Sequence, residues 1–99
     1  MRKILFSLLL FSFIIQAVAQ QTITGVVTDK NEGTPIPGAT ITVKGTSVAS
    51  LSDLDGKYTL TAPSDATLLV SFFGYQTKEI AINGQSVINI EMVAEEQAI

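Results

Sequence analysis

The 99-residue chain carries six Lys and Arg against nine Asp and Glu, with no His and no Cys, for a net charge of −3. Without those two residue types, disulfide stapling, the Ser/His/Asp and Cys/His nucleophile systems and every zinc site except an all-carboxylate one are excluded. The single arginine, Arg2, and the scattered lysines leave no cationic cluster of the kind that displaces counterions from nucleic-acid phosphates or grips an anionic membrane surface.

The first nineteen residues read as a cleavable, helical signal peptide. Arg2 and Lys3 form a charged n-region, and Ile4 to Ile15 is an apolar run broken only by Ser7 and Ser12. Ala17-Val18-Ala19 then supplies the small-x-small pattern that signal peptidase accepts, with cleavage expected before Gln20. The run is shorter than the roughly 20 apolar residues that a spanning helix needs. An uncleaved anchor or a buried core helix is the alternative, but all three regions of a signal occur in order. Position 20 is not the Cys that a lipoprotein would carry. The expected mature chain therefore starts at Gln20, with no direct membrane insertion after cleavage.

From Gln20 onward, four lysines face nine acids, leaving −5. About 80 residues make one domain, which buries only about 60–65% of the surface its unfolded chain exposes. With no disulfide to help, packing and ladder hydrogen bonds must hold it.

No window after residue 20 has helical periodicity. Apolar residues recur every second position among many Thr, Val and Ile, which predicts six or seven short strands. Thr22–Asp29 comes first, with Ile23, Gly25 and Val27 on one face. The stretch from Lys30 to Gly38, with Pro35 and Pro37, breaks the ladder. Ala39–Lys44 then alternates Ala39, Ile41 and Val43 inward against Thr40, Thr42 and Lys44. A weak strand, Val48–Ser52, leads to a tight turn at Asp53-Leu54-Asp55-Gly56, and Lys57–Ala62 follows with Tyr58 and Leu60 buried.

Thr67–Phe73 is apolar on both faces, which marks a central strand or one whose outer face meets a partner. Gly74 interrupts it, and Tyr75–Ile82 presents Lys78 and Glu79 at an edge or open face. Asn83-Gly84 is the strongest two-residue hairpin signal in the chain, because both residues tolerate the positive φ of a type I′ turn. Ser86–Val93 closes the set with Ile88, Ile90 and Met92 inward. Residues 94–99 are not strand-like and form an expected flexible C-terminal tail. Seven short strands with turns every eight to twelve residues indicate an all-β sandwich.

Two segments invite a functional reading. Asp53-Leu54-Asp55-Gly56 echoes the middle of a calcium loop, with Asp53 and Asp55 as candidate metal ligands. In that register Leu51 and Ala62 would occupy the places of the opening acid and the closing bidentate Glu, so a hairpin turn capped by its own aspartates is the stronger reading. No glycine-rich phosphate loop occurs, and no catalytic or cofactor-binding residue is assigned. The second segment is Phe72-Phe73-Gly74-Tyr75. At least half of these aromatics must fill the core of a domain without Trp; alternation turns Phe73 outward, making Phe73 and Tyr75 possible contact residues.

Four blocks in order carry a resemblance. They are Gly25-x-Val27-x-Asp29, then Pro37-Gly38-Ala39-x-Ile41-x-Val43-x-Gly45-Thr46, then Ser52-Asp53-x-Asp55-Gly56-x-Tyr58-x-Leu60, then Phe73-Gly74-Tyr75. Together they resemble the carboxypeptidase regulatory-like domain, and more closely the copy at the N-terminus of SusC/RagA-type TonB-dependent outer-membrane transporters. The resemblance implies a seven-stranded, prealbumin-like (transthyretin-like) β-sandwich over residues 20–93, and the residue pattern read above gives Gly38, Asp53, Asp55, Gly56, Gly74, Asn83 and Gly84 as its structural turns. It departs where the family has Gly-Thr or Gly-x-x-Thr before the turn and Ala49, Ser50 and Ser52 stand here, which should loosen an edge.

The function the resemblance implies is that of a non-catalytic domain in the periplasm at the outer membrane, whose partner is a transporter's plug and barrel or another periplasmic or outer-membrane protein. The chain ends where that family continues into a plug and barrel, so a truncated transporter or a short free-standing relative is expected. The alternative is a stand-alone secreted module that binds a glycan or a protein.

Overall fold

The computed structural model describes residues 20–96; the expected signal peptide, with Ala17 and Ala19, lies outside them. Seven strands form: β1 (Gln20–Asp29), β2 (Thr40–Val43), β3 (Ala49–Leu51), β4 (Lys57–Pro63), β5 (Thr67–Ser71), β6 (Lys78–Ala81) and β7 (Ile90–Met92). They divide into a three-stranded sheet ordered β4-β1-β7 and a four-stranded sheet ordered β3-β2-β5-β6. All pairings are antiparallel except β1 with β7, which is parallel.

The period-two pattern is what makes these two sheets a sandwich. Ile23 and Val27 on β1, Tyr58 and Leu60 on β4, and Ile90 and Met92 on β7 face Ile41 and Val43 on β2 and Leu68 and Val70 on β5, all buried. Each of these apolar side chains stabilises the fold by about 1.5–3 kcal/mol on burial. Their polar neighbours along each strand, such as Thr59, Asn89 and Glu91, face solvent. β5 lies between β2 and β6, as its two apolar faces predict. Among the described residues no buried side-chain polar atom lacks a hydrogen-bond partner.

Two glycine-containing turns change sheets where the sequence suggests hairpins. The Gln85 N–H donates to the Ile82 carbonyl at 2.9 Å, and Asn83 and Gly84 adopt φ of 50° and 74°. That is the expected turn, but β6 and β7 are not paired: the chain leaves the four-stranded sheet there and joins β1 in the other. Turn geometry is set locally. Pairing is set by which face of the following segment is apolar, and beside β1 the side chains of Ile88, Ile90 and Met92 reach the core. Likewise Asp53–Gly56 carries the chain from β3 in one sheet to β4 in the other, so it is a corner and not a hairpin.

Several strands are shorter than expected. β5 ends at Ser71 because Phe72–Tyr75 turns, β6 starts only at Lys78, and the Ser86–Val93 segment pairs through an isolated bridge at Val87 before β7 begins. That bridge depends on Gly25. A Cβ there would lie 1.8 Å from the Ile88 carbonyl oxygen and 2.8 Å from Tyr58 Cε1. The missing side chain lets the Ile88 N–H reach the Thr24 carbonyl (2.8 Å) and Tyr58 Oη donate to the Ile88 carbonyl (2.6 Å).

Ser52, one of the residues expected to loosen an edge, ties one down instead. Buried, it donates to the Ile36 carbonyl (2.6 Å) and accepts from the Ala39 N–H (2.9 Å), fixing the Pro35–Gly38 loop to the β3–β4 corner.

Candidate interaction surface

Strand β5 runs into the four-residue turn Phe72–Tyr75, closed by the Tyr75 N–H donating to the Phe72 carbonyl (3.1 Å). Gly74 holds φ of 87° at the third position, where a type II turn requires a positive value. The alternation of β5 then sends Phe72 and Phe73 opposite ways. Phe72 packs half-buried against the core, its ring 5.9 Å from that of Tyr75, while Phe73 stands at the tip with 97% of its surface exposed.

Three ties hold this turn. Tyr75 Oη donates to Asp29 Oδ2 at 2.7 Å, linking the turn to the end of β1. The Gln76 N–H donates to the Val93 carbonyl (2.8 Å), and the Glu95 N–H donates to the Gly74 carbonyl (2.9 Å). Residues 94 and 95, expected as the start of a loose tail, thus form a short antiparallel bridge with Tyr75, while residues 97–99 lie outside the described part.

Asp29 is the hub of the arrangement. Its Oδ1 accepts from the N–H groups of Asn31 (2.8 Å) and Glu32 (2.9 Å), so it caps the turn after β1 while its other oxygen holds Tyr75. The Tyr75 hydroxyl and then those N–H donors stabilise its charged form and hold its carboxyl below the usual aspartate value of 3.8. The same bond, with burial and the nearby Asp29 and Glu32 charges, raises the Tyr75 phenol. Asp29-Asn31-Glu32 is legible in sequence as a capped turn, but its partner 46 residues away is not.

Beside the turn lies a groove of ≈ 610 Å³ lined by Phe72, Phe73, Gly74, Tyr75, Thr77, Glu95 and Glu96. The other singled-out residues are elsewhere. Asp53 Oδ1 accepts from the N–H groups of Asp55 (2.9 Å) and Lys57 (2.9 Å), and Gly56 adopts φ of 77°, so Asp53 serves the corner as an expected turn cap would. Among the described residues, no group of three or more His, Cys, Asp or Glu is placed to hold a metal ion. Gly38 (φ 80°) sits under the Phe72 ring, and Gln20 opens β1.

The family model for the CarboxypepD_reg-like domain matches residues 23–99, which takes in β1 from Ile23 onward, strands β2 to β7 and this turn. The chain belongs to the CarboxypepD_reg-like domain family. Within it, the chain is 36% identical over 94 residues to the TonB-dependent receptor P39 of Formosa agariphila, a match that covers 93% of this chain and 9% of the receptor. It is 40% identical over 87 residues to the TonB-dependent receptor SusC of Bacteroides thetaiotaomicron, covering 86% of this chain and 9% of that receptor. This CarboxypepD_reg-like domain thus spans about a tenth of the length of the curated relatives it matches.

Among solved structures, it is similar to a chain of a type II cohesin–X–dockerin complex from Acetivibrio cellulolyticus. The TM-score is 0.63 at 22% identity, covering 80% of this chain and 61% of that one, and the likeness is one of β-sandwich fold. Among the described residues no helix is long and apolar enough to cross a membrane.

Proposed function

We propose that this CarboxypepD_reg-like domain is a non-catalytic module of the TonB-dependent receptor system. It works in the periplasm at the outer membrane through contacts with the plug or barrel of such a receptor, or with another protein there. The observation that carries the reading is the match to TonB-dependent receptors over nearly the whole chain, through this domain. The n-region, apolar run and Ala17-Val18-Ala19 site support export, with the mature chain beginning at Gln20. A fully exposed Phe on a tethered turn is the kind of rigid aromatic anchor that dominates protein interfaces.

Expression of the full chain in a bacterium that carries such receptors, followed by fractionation and N-terminal sequencing, tests this reading. The expected product starts at Gln20, is released with the periplasm and is recovered with the outer membrane after crosslinking. A cytoplasmic product that retains Met1 would contradict it.

A further inference from the structure

We infer that the groove beside the Phe72–Tyr75 turn docks a basic, extended segment of a protein partner, whose aliphatic side chains cover Phe73 and whose Lys or Arg side chains meet Glu95 and Glu96. The inference rests on the protein-contact function proposed above and names the surface and the chemistry of its partner.

Three features on this end of the sandwich converge. Phe73 is the most exposed large apolar side chain among the described residues, at 97%, yet its turn is tied by Tyr75 Oη to Asp29, by Gln76 to Val93 and by Glu95 to Gly74. An aromatic held out on such a turn loses little freedom on binding, so its contact area is retained as affinity. The same Glu95–Gly74 bond brings Glu95 beside Phe73, and among the described residues Glu95 and Glu96 are the only charged ones that line the groove. Lys78, the cation next along the chain, does not line it, because its Nζ donates to the Glu91 carbonyl at 3.1 Å.

Charge therefore selects the occupant. Two carboxylates beside an exposed apolar ring favour a segment that brings cations to them, and disfavour an acidic one. Of the other exposed apolar side chains, Leu51 and Leu54 flank Ser52 and Asp53 at the β3–β4 corner, and neither lines this groove.

The test uses the exported chain and three probes: the peptide Ac-Lys-Leu-Lys-Val-Lys-amide, its Glu counterpart, and maltoheptaose. Amide shifts and titration calorimetry are read for the wild type, Phe73→Ala, the double variant Glu95→Gln/Glu96→Gln, and a chain ending at Glu96. The expected result is saturable binding of the Lys peptide alone, with shifts centred on Phe73, Gly74, Glu95 and Glu96. Phe73→Ala should weaken it about tenfold, and the double Gln variant should weaken it and flatten its salt dependence.

Equal binding of the Glu peptide, shifts elsewhere, or insensitivity to Phe73→Ala and to the double Gln variant overturns the inference. Binding of maltoheptaose at the same residues overturns it in favour of a sugar site. Tighter binding by the chain ending at Glu96 than by the wild type overturns it in favour of the chain's own C-terminal residues as the occupant. If this test fails while the exported chain is still recovered with the outer membrane, the receptor-associated function stands and a different surface serves it.

Discussion

Tyr75 Oη donates a 2.7 Å hydrogen bond to Asp29 Oδ2, joining the end of the three-stranded sheet's central strand to the turn that presents Phe73. The two residues lie 46 positions apart. That bond connects the stability of the domain to the shape of its candidate surface. Tyr75→Phe keeps the ring and its packing against Phe72 while removing the bond. It should lower the melting temperature and broaden the amide signals of Phe73 and Gly74; unchanged signals would show that the backbone bridges to residues 93–95 suffice.

Acid should loosen the same link. The folded-state pKa of Asp29 lies below 3.8, so the charged carboxylate stabilises the fold above that pH, and this contribution is lost as pH falls through the lowered value. In thermal melts, Asp29→Asn should be less stable than the wild type at pH 6, with the gap closing at the acid end. A gap independent of pH would count against the carboxylate's role.

At the alkaline end the sign reverses. Burial pushes the Tyr58 phenol up to about 12 from an ordinary value of 10, so the fold favours the neutral form. Its contribution is intact below pH 10 and is lost as pH rises toward 12. Tyr58→Phe should show a shallower loss of melting temperature over that window, with a residual decline from Tyr75, whose phenol is also raised.

Two small residues separate packing from conformation. Gly25→Ala drives a methyl group into the Ile88 carbonyl and the Tyr58 ring, and should cost about 3 kcal/mol by chemical denaturation. Gly33→Ala meets nothing within 4 Å and suffers only its φ of 71°, so about 1 kcal/mol is expected. Ser52→Ala strands the Ala39 N–H and the Ile36 carbonyl, at about 2 kcal/mol. Equal costs for the two glycine variants would refute the close approach of β1 and residues 86–88.

Much of the fold was legible in the residues because one face of each strand is buried and the period-two pattern records which. Ile41 and Val43, Tyr58 and Leu60, and Leu68 and Val70 all point inward as alternation requires. What alternation does not record is which strands become neighbours. Asn83 and Gly84 adopt the positive φ that their side chains predict, yet their turn crosses between sheets. The outward Phe73 was readable from β5. The Asp29–Tyr75 bond, the Ser52 tie and the need for glycine at position 25 were not, because each arises only when distant segments meet.

Site-specific photocrosslinking from position 73 tests the central claim most directly. With benzoylphenylalanine at 73 in the full chain, in cells that carry TonB-dependent receptors, the adduct should contain such a receptor or its outer-membrane neighbour. The same probe at Val48, which is 48% exposed at the opposite end of the four-stranded sheet, should give none. No adduct from position 73, or the same adduct from both positions, would contradict a partner-binding role for the Phe73 turn.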